Sequence, residues 1–472
     1  MLDLVITGAE VVLPTATATI DVGIKDGSIA VLGLPGTLPE AASTIDAHGQ
    51  YLVPGGIDPH CHTNWVVPTA ADAGIRCFPP EQVSLAAAHG GTTTLVDFAI
   101  WEPGQTLEQT VRAKEAEWRG SSYVDYAYHI AFKGGMTFEV VEQIGDAIVA
   151  GNPTFKVWMT NTTPSRPRQM TDLGWVLAIL EQTRDHQGML AVHAEDDDLV
   201  MFAYERLKQT GKWGYENVHL AHDQLSEALS FRRVIGLAQR VGAPIYLMHV
   251  SAREGVDAIR EARAAGHPIY GETLQHYSVF TAENYREADG AKYHTYPSLK
   301  SDDDVEALWE GLQDQTLSTV ATDEMCTTRE VKLRGKTVDD VTGGHAGVEV
   351  RMGVVYTEAV KKRGFSMQHF VELTSTNAAR ILGMYPRKGV IAVGSDADLV
   401  LLDTEHTRQL SAQEMHETDY SAWEGYEVSA WPTTALVRGQ VVMTQGELKG
   451  GPTIGRRVER KVSDEVFRRP AV

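Results

Sequence analysis

Hydrophobic positions keep two different rhythms along this chain of 472 residues. Over residues 1–50 they alternate with polar ones in short runs, LDLVITGAEVVL, TIDVGIKDGSIAVLG and STIDAHGQYLVP, broken by Gly, Asp and Pro. Alternation of this kind, cut by turn residues, predicts short half-buried strands. The same texture returns near Val390, in GVIAVGSDADLVLLD and TALVRGQVVMTQGEL. The two ends are therefore expected to build one small β-sandwich together. Between about 55 and 385, apolar runs alternate with amphipathic stretches. The strand-like runs are TTTLVDFAI (92–100), VDYAYHIAF (124–132), TFKVWMT (154–160), MLAVHAED (189–196), PIYLMHVS (244–251), PIYGETL (268–274) and STVATDE (318–324). The stretch YLVPGGIDPHCHTNW, from Tyr51 to Trp65, opens the series and brings the number to eight. Helical patterns such as EQVSLAAAHG, TLEQTVRAKEAEWRG and QLSEALSFRRVIGLAQRVG lie between them. Strand–helix alternation of this length predicts an α/β fold, a (β/α)8 barrel.

The expected organisation is residues 1–54 and 386–450 in the sandwich, 55–385 in the barrel, and 451–472 as a tail. That tail, GRRVERKVSDEVFRRPAV, is locally basic. It reads as a solvated end or as an arm reaching an acidic neighbouring subunit.

Composition narrows the function classes. Hydrophobic content of 43% and charge of 22% suit a soluble globular protein. A net charge of −21, spread along the chain, argues against nucleic acid, whose phosphates need basic patches. No run reaches the roughly 18 apolar residues of a membrane span. The N-terminus MLDLVITGAEVVL lacks a basic leader and reads as a strand. Three cysteines, Cys61, Cys77 and Cys326, form no CxxC and too small a set for a disulfide framework. A reducing compartment, the cytoplasm, is expected.

Candidate chemistry follows from asking what each barrel strand delivers at its C-terminal end, where such barrels keep reactive groups. The opening stretch gives His60 and His62, two positions apart and so on one face of an extended chain. Asp58 shares that face. The later strands give Lys156 in FKVWM, His193 in AVHAED, His249 in LMHVS and Asp323 in VATDE. A lone histidine after an apolar run is ordinary packing, but four of them with a lysine and an aspartate are not. Lys156 stands out because an ammonium inside an apolar strand is costly unless paired or neutral. A neutral amine adds CO2 to give a carbamate, which can bridge two cations. The expected site holds one divalent ion on His60, His62 and Asp323 and another on His193 and His249. Carboxylated Lys156 and a hydroxide would bridge them. Nitrogen and oxygen ligands without thiolate suit zinc, with manganese or cobalt as substitutes. Such a pair supplies hydroxide at neutral pH and polarises a carbonyl, with Asp323 as the proton carrier. Glu195 reads as a partner of His193.

GGIDPHCH, FKVWM, VHAED, MHVS and TD, with GSDADLVLLD and VRGQVV, resemble the amidohydrolase superfamily, and within it the dihydropyrimidinase/hydantoinase branch of cyclic amide hydrolases. The resemblance runs from about residue 3 to 445. It implies a barrel with a β-sandwich, a dinuclear zinc site with carboxylated lysine (CO2 or bicarbonate supplying the carboxyl), opening of cyclic amides, and homodimers or homotetramers. By motif match, His60, His62, Lys156, His193, His249 and Asp323 take the ligand positions.

The departures concern the substrate. The branch places an oxyanion-binding tyrosine five residues after the lysine, where this chain has Asn161. An asparagine expected before the PGxE motif is absent from Gly343–Glu349, and His345 stands near its place. The usual SPP reads Tyr296-Pro297-Ser298, and the residue after Asp323, often His, is Glu324. Candidate replacements for the missing contacts are Asn161 itself, His276, Tyr277, Tyr296 and His345. Trp65 and Trp158, beside ligand positions, are candidates for the wall that meets the substituent outside the ring. The expectation is a small-molecule amide, imide or ureide unlike plain dihydrouracil. The alternatives are an acyclic amide or carbamate at the same site, or a non-catalytic oligomeric scaffold.

Overall fold

A computed structural model describes residues 1–67 and 74–472. Eight strands form one parallel sheet in which each pairs with the next in sequence. They are β1 (Gly56–Asp58), β2 (Thr92–Ile100), β3 (Asp125–Phe132), β4 (Thr154–Trp158), β5 (Met189–His193), β6 (Ile245–Leu247), β7 (Ile269–Leu274) and β8 (Thr319–Ala321). Nearly every strand residue is buried, because helices cover the outer face and side chains fill the inner one. The barrel is nearly closed. Between β8 and β1 a parallel bridge joins Cys61 to Glu324, with the His62 N–H donating to the Glu324 carbonyl at 2.7 Å. This bridge lies past the C-terminal ends of both strands. The closure itself therefore fixes the backbone that carries His60, His62 and Asp323.

The opening stretch serves two layers. Tyr51–Pro54 pairs antiparallel with Leu399–Asp403 and parallel with Glu10–Val12, inside a seven-stranded sheet built from both chain ends. Two residues later the chain is in β1. Gly55 allows the passage, since a Cβ there would lie 2.0 Å from the Thr93 hydroxyl. A four-stranded sheet, in the order Ser28–Gly33, Asp21–Lys25, Leu2–Thr7, Ala41–Asp46, packs on the larger one. Leu4, Ile6, Val22 and Ile24 from one sheet meet Leu52, Leu399, Leu401 and Leu436 from the other. The sandwich is tied to the barrel by the buried Lys388, which pairs with Asp125 at the start of β3 (2.8 Å), with Asp396 (3.2 Å) and with Asp398.

The reading of the tail as a solvated end needs correction. It packs on its own barrel, beneath the N-terminal strand ends. The Val458 N–H donates to the Tyr126 carbonyl at 2.8 Å, and the buried Arg460 donates to Thr154 Oγ1 at 2.9 Å. Val458, Val462 and Val466 complete the core at that end. The tail's alternation of basic and apolar residues hid three valines with a face to bury. Among the described residues, no helix is long and apolar enough to cross a membrane.

Candidate metal centre and active site

Six predicted side chains meet at the C-terminal mouth of the barrel. His60 and His62 follow β1, Lys156 is the third residue of β4, His193 ends β5, and His249 and Asp323 lie two residues past β6 and β8. All six line one cavity of about 80 Å3. His249 and Asp323 have left-handed backbones, φ 42° and 50°. Non-glycine residues seldom adopt that conformation, and those that do concentrate at functional sites.

The geometry divides the six into two groups. His60 Nε2 and His62 Nε2 both approach Asp323 Oδ1, at 3.0 and 2.8 Å. These three side chains place ligand atoms within 4.8 Å of one another, close enough to hold a metal ion. In the second group the rings of His193 and His249 meet edge to face at 4.4 Å, and His249 is 5.5 Å from the ring of His60. The Phe98 ring packs against the first pair, 5.0 Å from His60 and 4.6 Å from His62.

Partners behind the imidazoles fix their orientation. His60 Nδ1 meets Glu272 Oε1 at 2.7 Å. His193 Nε2 meets Glu195 Oε2 at 2.7 Å, which agrees with the expected pairing and leaves Nδ1 as the ring's other nitrogen. Glu195 in turn meets His222 Nδ1 at 2.8 Å, and His222 Nε2 meets the Tyr204 hydroxyl at 2.9 Å. Sequence reasoning missed Glu272 and His222. Glu272 had a signal: it is an acid inside the apolar run PIYGETL, the same anomaly that marked Lys156. Asp58 is not a ligand. It accepts from Thr322 Oγ1 at 2.6 Å and from the His60 N–H at 3.2 Å, and so ties β1 to β8.

Charge states follow from this packing. Burial lowers His60, but the carboxylates of Asp323 and Glu272 outweigh it and lift the imidazole to about 9. Burial would raise Asp323, yet His60 and His62 hold it well below the usual carboxylate range. A proton thus sits where two imidazoles share one carboxylate oxygen, and a cation is the natural replacement for it. Lys156 is the opposite case. Its Nζ approaches the Met248 sulfur at 3.0 Å and forms no ion pair among the described residues. Burial brings it down to about 7 despite Asp323 and Glu272. An amine so placed spends much of its time neutral. The donor set therefore fits divalent cations, with imidazole and carboxylate on one side and a carboxylatable amine between.

Trp65, Trp158 and Tyr296 also line the cavity, and the two indoles are 6.0 Å apart. Four other candidates do not, and one of them, Tyr277, spends its hydroxyl on the Pro297 carbonyl. The Asn161 amide is used elsewhere, its Nδ2 donating to Asp197 (3.2 Å) and its Oδ1 accepting from the N–H groups of Gln169 and Met170. It shapes the loop after β4 and leaves no group for an oxyanion. His276 and His345 pack against each other at 4.0 Å and are absent from the cavity wall. Glu324 is turned away as well, accepting from the N–H groups of Gly347 and Val348. The cavity wall adds Thr162, Arg166, Gln169, Thr295, Met325, Gly343 and Gly344. These are loop residues with no periodic pattern to announce them.

Residues 51–442 match the model of the Amidohydrolase family. The chain is 35% identical over 465 residues to a D-hydantoinase of Rhizobium radiobacter, covering 98% of this chain and 99% of that one. It is 30% identical over 449 residues to a D-phenylhydantoinase of Escherichia coli O1:K1, covering 93% and 94%. The solved dihydropyrimidinase of Brevibacillus agri NCHU1002 superposes with a TM-score of 0.92 at 30% identity, covering 98% and 99%. The chain belongs to the amidohydrolase family, among its hydantoinases and dihydropyrimidinases.

Proposed function

We propose that the protein hydrolyses the C–N bond of a cyclic amide, imide or ureide in a metal-dependent reaction. The observation that carries this reading is the meeting of His60, His62, Lys156, His193, His249 and Asp323 around one small cavity. The relatives named for hydantoin and dihydropyrimidine hydrolysis support it. The acyclic-substrate alternative gains nothing from them, and a scaffold has no use for six converging ligands.

In this reading two zinc ions are the resident metals, on the ligands named above. When bound, they would activate a water at neutral pH and polarise the scissile carbonyl. The protein's own part is positional. Glu272 and Glu195 orient His60 and His193, so that each ring presents a fixed nitrogen. Lys156, carboxylated on Nζ, would add an anionic bidentate group where the bare amine has no carboxylate partner. Asp323 faces the cavity and would take the proton of the attacking water and return it to the ring nitrogen that leaves. Trp65 and Trp158 present flat apolar faces that exclude water from one side of the ring.

Chelation is expected to abolish opening of a hydantoin, followed by loss of ring absorbance, and zinc with bicarbonate to restore it. Full turnover in the metal-free protein would refute the metal-dependent reading.

A further inference from the structure

Among the described residues, Arg166 is the one guanidinium in the cavity wall, and no acid pairs with it. It lies on the loop between β4 and the helix Leu173–His186. Its guanidinium packs over the Tyr296 ring, 5.0 Å from the centroid. Its Nε and Nη2 are both buried and without a hydrogen-bond partner. Among the described residues, no carboxylate lies within ion-pair distance. Those two N–H groups form one edge of the fork, whose spacing matches the two oxygens of a carboxylate. Donors of a charged group buried unmet are costly, and folded proteins rarely leave them so without a reason.

The loop that carries Arg166 is held from several sides. Asn161 clamps it to Asp197 and to Gln169 and Met170, and the Ser165 N–H donates to Asp339 Oδ1 at 3.0 Å. The guanidinium is thereby placed in advance. A second cation stands near. Lys133 lies over the Trp65 ring at 5.6 Å and forms no ion pair among the described residues. Burial lowers its pKa, the Glu102 carboxylate opposes this in part, and the charge of Arg166 adds to the lowering. Two neighbouring cations without an ion-pair partner among the described residues are out of keeping with a chain of net charge −21.

We propose that the substrate is a cyclic amide whose substituent outside the ring ends in a carboxylate, and that Arg166 receives it through Nε and Nη2. Tyr296 backs the guanidinium, and Lys133 adds attraction at longer range. This rests on the cyclic-amide reading and narrows it to acidic members of that class.

The test compares two nearly isosteric substrates of the zinc-loaded protein: hydantoin with a carboxymethyl group on carbon 5, and its carbamoylmethyl counterpart. The wild type is expected to favour the acid by roughly 10- to 100-fold in kcat/KM, most of it in KM, as charge-assisted hydrogen bonds warrant. In Arg166→Met the ratio of the two kcat/KM values should fall close to one. Arg166→Lys, which keeps the charge and loses the fork, should fall between. A ratio taken within one preparation is unaffected by its active fraction. Hydrolysis of the amide-bearing hydantoin with no preference for the acid in the wild type would overturn the inference and leave the cyclic-amide reading standing. An acid preference that survives Arg166→Met would overturn the assignment to Arg166. No turnover of either compound, nor of unsubstituted hydantoin, would remove the reading on which the inference rests.

Discussion

Replacing Lys156 with Ala is expected to release at least one of two bound metal ions per chain and to bring cyclic-amide hydrolysis down to background. The amine is buried beside Met248 and between aromatic faces, at 5.8 Å from the Phe98 ring and 5.3 Å from that of Trp158. The pull of Asp323 and Glu272 does not make up for the water the ammonium loses on burial, and the amine is held down to about 7. In the proposed function its value lies in the carbamate it would become after adding CO2, a bidentate anion in place of the amine. Fold and function can be separated by Lys156→Met, which keeps the volume and deletes the polar atom. Because a buried amine is costly to desolvate, the metal-free Met variant should unfold at a temperature no lower than the metal-free wild type. Metal analysis and thermal unfolding of the two variants decide the matter. Unchanged metal content in Lys156→Ala would contradict the carbamate assignment.

Asp323→Asn is the second large effect. The substitution keeps the shape and removes both the charge and the ability to hold a proton. With the remaining ligands intact, kcat is expected to fall roughly 10^2- to 10^4-fold, the usual range for loss of a general acid–base, while KM changes far less. Among the described residues, neither neighbouring acid is free to take over. Glu324 is next in sequence but bonds to the backbone of Gly347 and Val348. Glu272 is occupied on the far nitrogen of His60. Steady-state kinetics on the metal-loaded variant check this, and near-normal kcat would show that the proton travels by another route.

The barrel was legible because its strands are buried on both faces and read as apolar runs between turn residues. The six site residues were legible for the same reason, since a polar group at the end of an apolar run has to be explained. Helices Leu173–His186 and Asp302–Gln313 escaped that reading. The second opens on three consecutive acids, which suit a helix N-terminus but resemble a polar loop. The substrate wall was harder still. Asn161 occupied the right position in sequence and the wrong one in space, because Asp197 takes its amide. His276 and His345 were drawn into mutual packing. Arg166 lies in SRPRQ, where nothing distinguishes a buried guanidinium from a solvated one; only its surroundings do.

The most direct test of the account is proton release at constant pH, with the zinc-loaded protein in bicarbonate. Hydrolysis of a cyclic amide creates a carboxylic acid, so each turnover consumes titrant. The substrates would be hydantoin, aryl- and carboxyalkyl-hydantoins, dihydrouracil, allantoin, succinimide and phthalimide. The account predicts turnover of at least one of these rings, abolished by Lys156→Ala and by chelation. Silence across all of them, from a protein carrying two metal ions per chain, would contradict cyclic-amide hydrolysis and leave acyclic amides and carbamates as the substrates to try.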